Sequence, residues 1–140
     1  MTARGKARKQ ALDILFESDI RSHSPLDILD SRLDIELGPD TRPIREYAGL
    51  LVRGVTEHRR KIDELISTYA QGWDMDRLPT VDRNILRLAI FEILWGAEIP
   101  DPVAIDEALN LAKLLSTDES AGYIHGVLGR VSSIKDELAL

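Results

Sequence analysis

The 140-residue chain contains no cysteine. That excludes disulfides, thiolate metal sites and cysteine nucleophiles. Aromatic residues are scarce, with two Phe, two Trp and three Tyr. Stacking on nucleobases therefore rests on few positions. No run approaches the roughly 18 apolar residues of a membrane-spanning helix. The first residues are charged and hold no apolar stretch of the roughly 7–15 residues found in a secretory signal. A cytoplasmic protein without membrane contact is expected. Positive charge is in deficit, 18 Lys and Arg against 24 Asp and Glu, a net charge of −6. A uniformly basic nucleic-acid binder is thereby disfavoured.

What is present suffices for a packed core, at 44% hydrophobic and 30% charged residues. The length fits one domain, and no connection is long enough for a linker, so residues 1–140 are read as a single domain. Breaks fall at Ser24-Pro25, 38–43, 71–79 and 98–102, where Gly and Pro cluster. The segments between them read as helices. The first covers 2–20, and a short second follows Pro25 to about 37. Ile44, Ala48, Leu51, Val55, His58, Ile62, Ile66 and Tyr69 hold one helical phase, which predicts one long helix. Further helices cover 80–97, 101–116 with Asp101 as N-cap before Pro102, and 120–133 capped by Ser120. The tail adds at most a turn. No segment alternates with period two, so the expected class is all-α. Segment 80–97 is apolar on most sides and belongs inside a bundle.

Catalytic chemistry finds little support. His23, His58 and His125 are far apart in sequence and show no metal-ligand spacing. His58 lies on the apolar stripe and reads as a core histidine. Asp118-Glu119 and Asp74/Asp76 read as helix-capping carboxylates. Nucleophile-elbow, phosphate-loop and dinucleotide motifs are missing. No catalytic residue, metal or cofactor is expected, and the chain is not read as an enzyme.

Charge is unevenly placed. Arg4, Lys6, Arg8 and Lys9 give the first ten residues +4, leaving −10 on the remaining 130. Such an arm attracts anions locally while the body repels them. The first helix carries two apolar stripes. Ala7, Ala11, Ile14 and Leu15 form one, and Leu12, Phe16 and Ile20 form another, free for a partner if not buried. In the last helix Gly122, Gly126 and Gly129 lie opposite the stripe Ile124, Val127, Leu128 and Val131. Tight packing against another helix is the simpler explanation, and close approach of a ligand is the other. Tyr123 opens the same helix. Trp73, in a loop with Met75, reads as a cover for the core or a self-association patch.

Three segments together resemble the NusB family of transcription antitermination proteins. They are Ala7-Arg8-Lys9 to Ala11 with Leu15-Phe16; Val81 to Glu92; and Val103 to Ala108 with Leu111-Ala112-Lys113 and Gly126-Val127-Leu128. The resemblance implies about seven helices packed as two sub-bundles. It implies binding of boxA single-stranded leader RNA of ribosomal RNA operons. It also implies a partner, the small-subunit ribosomal protein acting as NusE, and assembly on RNA polymerase. By the same resemblance Arg4, Lys6, Arg8 and Lys9 hold phosphates, and Lys113, Tyr123 and His125 lie near the RNA. Phe16 and Asp82, with Leu12 and Ile20 on the same spare face, meet the ribosomal protein. His125 departs from the family, which usually carries asparagine there. A second reading stays open: a homodimeric protein–protein module in which the basic arm is only a tail.

Overall fold

The computed structural model describes residues 1–35, 38–39, 42–70 and 75–140, and of residue 76 the backbone alone. Trp73, Asp74 and the expected end of the second helix near Leu37 lie outside the described residues. Seven α-helices and two 3-10 turns, with no strand, make up the described residues. They cluster into two compact units, 1–57 and 58–140, matching the expected division into two helical halves. Among the described residues no helix is long and apolar enough to cross a membrane.

The first unit holds α1 (Ala3–Arg21), α2 (Pro25–Leu33) and α3 (Glu46–Glu57). Thr2 caps α1 by accepting from the Gly5 amide at 3.0 Å, which satisfies one of the orphan donors of the first turn. Each pair of the three helices is in contact. The predicted stripe of Ala7, Ala11, Ile14 and Leu15 is fully buried, with Ile28 and Leu29 of α2 and Ala48, Leu51, Val52 and Val55 of α3. Gln10 ties α1 to the chain entering α3. Its Nε2 donates to the Pro43 carbonyl at 2.9 Å, and its Oε1 accepts from the Arg45 amide at 3.0 Å.

The second unit holds α4 (Arg59–Tyr69), a 3-10 turn Met75–Arg77, α5 (Thr80–Trp95), α6 (Asp101–Leu115), α7 (Asp118–Ile134) and a closing 3-10 turn Lys135–Glu137. The helix α5 touches α4, α6 and α7. Eleven of its sixteen residues are buried, so it is the central helix that its all-round apolar sequence predicts. Its buried Arg87 is held by hydrogen bonds inside. Arg87 Nε donates to Asp63 Oδ1 at 2.8 Å, Nη2 to Asp63 Oδ2 at 3.1 Å, and Nη1 to Asn84 Oδ1 at 3.0 Å.

Three expectations need correction. The single long helix is two, divided at His58, whose φ of −102° and ψ of 15° leave the helical region. Thr56 Oγ1 donates back to the Val52 carbonyl at 2.7 Å, a bond that loosens the last turn of α3. The His58 ring stacks on Trp95, 3.9 Å between centroids and 12° between planes, and is half-buried instead of core. The Ile62 amide still donates to the His58 carbonyl, so the apolar phase survives the break and hides it in the sequence. Second, Asp101 is the first residue of α6 and not its cap. Its carboxylate accepts from Ser132 Oγ at 2.6 Å and Lys135 Nζ at 2.9 Å, fastening the end of α7 to the start of α6. Third, Thr117 and not Ser120 caps α7, its hydroxyl accepting from the Ser120 amide at 3.0 Å.

The Arg87 guanidinium is 5% exposed and Asp63 30%. Asp63→Ala strands a buried cation, and we expect a loss of about 2–3 kcal/mol, below the cost for a fully buried pair. Urea unfolding measures this. A change under about 0.5 kcal/mol, the range of an ordinary surface substitution, would show the pair to be structurally idle.

Candidate functional site

The cations of the first helix divide into two kinds. Arg4 and Lys6 are exposed. Arg8 is 3% exposed, so it is not the surface charge the sequence suggested. The guanidinium carbons of Arg4 and Arg8 lie 5.3 and 5.9 Å from the centre of the Tyr47 ring. Both are cation–π distances. Lys9 forms an ion pair with Asp13 at 2.8 Å, one turn along the same helix. Tyr47 went unnoticed in the sequence, because nothing local signals that a residue some forty positions away lies beneath the arginines.

The spare apolar face of α1 is narrower than expected. Leu12 is 1% exposed, whereas Phe16 is 38% and Ile20 61% exposed. Helix geometry explains the correction. Leu12 lies about 60° from Leu15 around the axis, within reach of the core, while Phe16 and Ile20 lie about 100° and 140° away. The exposed face is therefore Phe16 and Ile20, one turn apart.

In the second unit Tyr123 stands between two cavities. The first, of about 500 Å³, is lined by Tyr69, Gly122, Tyr123, Gly126 and Arg130 among others. Arg130 reaches over the Tyr69 ring at 5.7 Å. A methyl group added at Gly122, Gly126 or Gly129 would meet no atom of another element within 4 Å among the described residues. Tight helix packing, the simpler expectation for these glycines, is thus overturned: among the described residues no other helix lies against their side of α7.

The second cavity, of about 400 Å³, is lined by Leu78, Pro79, Asp82, Glu119, Ser120 and Tyr123 among others. Asp82, which the resemblance set against the ribosomal protein, is only 2% exposed. Its Oδ2 accepts from Ser120 Oγ at 2.6 Å. That hydroxyl in turn accepts from Ser116 Oγ at 3.1 Å and Thr117 Oγ1 at 3.0 Å. Burial, and secondarily the charge of Asp82, raise the Tyr123 phenol above its ordinary value of 10.0. Both effects keep the ring neutral. Lys113 and His125 are exposed and line neither cavity. Tyr69 and Arg130 were missed as site residues, since only the fold brings α4 beside α7.

An all-helical chain of two units, one with a cation-and-tyrosine surface and one with paired cavities about a tyrosine, defines a helical binding protein. The NusB family model matches residues 5–133, and the chain belongs to the NusB family. Transcription antitermination protein NusB of Acidothermus cellulolyticus is 55% identical over 131 residues, covering 94% of this chain and 88% of that one. The T. maritima NusB structure superposes with a TM-score of 0.81 at 36% identity, covering 98% and 99% of the two chains. A crystal structure of antitermination factors NusB and NusE in complex with dsRNA superposes at 0.76 with 25% identity, covering 93% and 96%.

Because the added methyl meets nothing among the described residues, Gly126→Ala gains helix propensity without strain. We expect it to stabilise the chain by about 0.5–1 kcal/mol, read as a higher melting temperature. Destabilisation would mean that the glycine face is packed after all.

Proposed function

We propose that this chain is a non-catalytic transcription antitermination factor. In this reading it binds boxA single-stranded leader RNA of ribosomal RNA operons together with the ribosomal protein acting as NusE, within an RNA polymerase complex. The observation that carries the reading is the start of α1. Two exposed cations, Arg4 and Lys6, stand on its first turns, with Arg4 seated over an aromatic ring. Membership of the NusB family and the solved relative with NusE and dsRNA support it.

In this reading each unit contributes its own residues. Arg4 and Lys6 meet phosphates, which sets affinity and register. Buried Arg8 holds Tyr47 in place beneath them, and Lys9 contributes by exchanging Asp13 for a phosphate. Tyr123 offers a face for base stacking, with Lys113 and His125 as outlying donors. Phe16 and Ile20 give the protein partner an apolar anchor, and the −10 carried outside the basic arm suits a cationic partner. With so few phosphate contacts, the salt dependence should be shallow, a slope of roughly −2 to −3 for single strands. RNA affinity therefore depends strongly on the partner.

Fluorescence anisotropy with a boxA RNA and a scrambled control, each with and without the ribosomal protein, tests this. We expect a preference for boxA that grows with the partner. Equal, weak binding to both RNAs, unmoved by the partner, would favour a homodimeric module with a nonspecific tail. Arg4→Glu should weaken boxA binding at matched salt and leave the melting temperature unchanged. Unaltered affinity removes the arm from the mechanism. Phe16→Asp should abolish capture of the ribosomal protein, again without a large thermal shift; retained capture would place the partner elsewhere.

A further inference from the structure

The two cavities flanking Tyr123 differ in charge. The one beneath Asp82 is lined by two carboxylates, Asp82 and Glu119, and by no Lys, Arg or His. The one beside Tyr69 is lined by a cation, Arg130, and by no carboxylate. The residues outside the basic arm carry −10, yet an anion entering this second cavity meets a cation and no lining acid. Arg130 is exposed, and its guanidinium forms no hydrogen bond or ion pair among the described residues. The Tyr69 ring holds it instead, 5.7 Å from guanidinium carbon to ring centre. Its N–H fork is therefore positioned and uncommitted, and such a fork matches a phosphate. The Tyr123 ring and Val127 supply an apolar remainder. The volume of about 500 Å³ falls within the roughly 300–1,000 Å³ of small-molecule clefts.

We propose that this cavity seats one nucleotide of a bound single-stranded RNA, its phosphate on Arg130 and its base against Tyr123. The inference rests on the reading that single-stranded RNA is a ligand of this chain. Each group of the nucleotide meets a counterpart. The phosphate takes the guanidinium fork. The base stacks on the Tyr123 ring, and Gly122 and Gly126 put no side chain in its way. Thr68 Oγ1 donates to the Glu64 carbonyl at 2.8 Å. Its oxygen is left to accept, which suits a ribose hydroxyl or a base amino group. A strand supplies this occupant better than a free nucleotide does. One exposed cation gives low affinity alone, and contacts elsewhere on the strand raise the local concentration. A phosphopeptide is disfavoured, because clusters of arginines read such ligands, and a single cation lies here beside a surface suited to a flat base.

An NMR titration of the full chain tests the ligand chemistry. The probes are adenosine 5′-monophosphate, adenosine and a phosphoserine peptide, each at millimolar concentration, and the signals are the Gly122 and Gly126 amides and the Arg130 side chain. We expect shifts with the nucleotide, weaker ones with the nucleoside, and none at the glycines with the peptide. Equal response of the glycines to nucleotide and peptide, or no response, overturns the proposal. Anisotropy with boxA RNA tests the strand. Arg130→Gln should weaken binding about fivefold and make the salt slope shallower by roughly 0.7, the share of one phosphate. Weakening without a change of slope would show that no phosphate is held there. Gly126→Leu places a side chain in the cavity at a position where an added Cβ meets no other element among the described residues. It should weaken binding about fivefold and leave the slope unaltered. A melting temperature no lower than that of the unaltered chain shows that both variants fold. BoxA binding indifferent to both, while Arg4→Glu still weakens it, would overturn the cavity's part and leave the antitermination reading standing. Failure of the unaltered chain to bind boxA, with or without the ribosomal protein, would overturn that reading and the assigned strand with it.

Discussion

The hydrogen bond from Ser120 to Asp82 holds the second unit in its working form. It runs from the first turn of α7 to the buried start of α5, at 2.6 Å. Ser116 and Thr117 both donate to the same Ser120 hydroxyl, so the connection from α6 into α7 is gathered on one carboxylate. Three residues after Ser120 comes Tyr123, whose position therefore follows from this anchor. Both cavities take a wall from that ring. The Asp82 carboxylate draws the α7 entrance onto the core helix.

The basic arm illustrates how a short cation cluster splits into scaffold and contact. Position on the helix decides which is which. Arg8 follows Ala7 into the buried side, so its guanidinium is committed to the fold beside Tyr47. Arg4 and Lys6 point outward. Lys9 is neutralised by Asp13 one turn on, an exposed pair of modest worth that a phosphate can displace. Net charge in the sequence counts all four alike, and the fold does not.

The helices were readable because their apolar positions keep a helical phase and Gly or Pro marks their ends. The central place of α5 followed from its being apolar on most sides. The break at His58 was not readable, since one residue leaves the helix and the phase resumes on the far side. Caps were misplaced by one to three residues where several short polar residues compete. Thr117 and Ser120 are both capable N-caps, and only the Asp82 contact takes Ser120 away from that task. Leu12 shows the limit of drawing stripes on a wheel, because a leucine about 60° from a buried neighbour is itself within the core. The Arg4–Tyr47 and Arg130–Tyr69 pairs join distant segments and leave no local trace.

Tyr123 is a partition between a cation-lined chamber and an anion-lined one, mounted on a helix whose neighbouring glycines face no other helix among the described residues. A partition has two sides and one position. Any occupant that shifts the ring from one chamber alters the dimensions of the other. Thermodynamics requires such an influence to be mutual, whichever chamber is filled first.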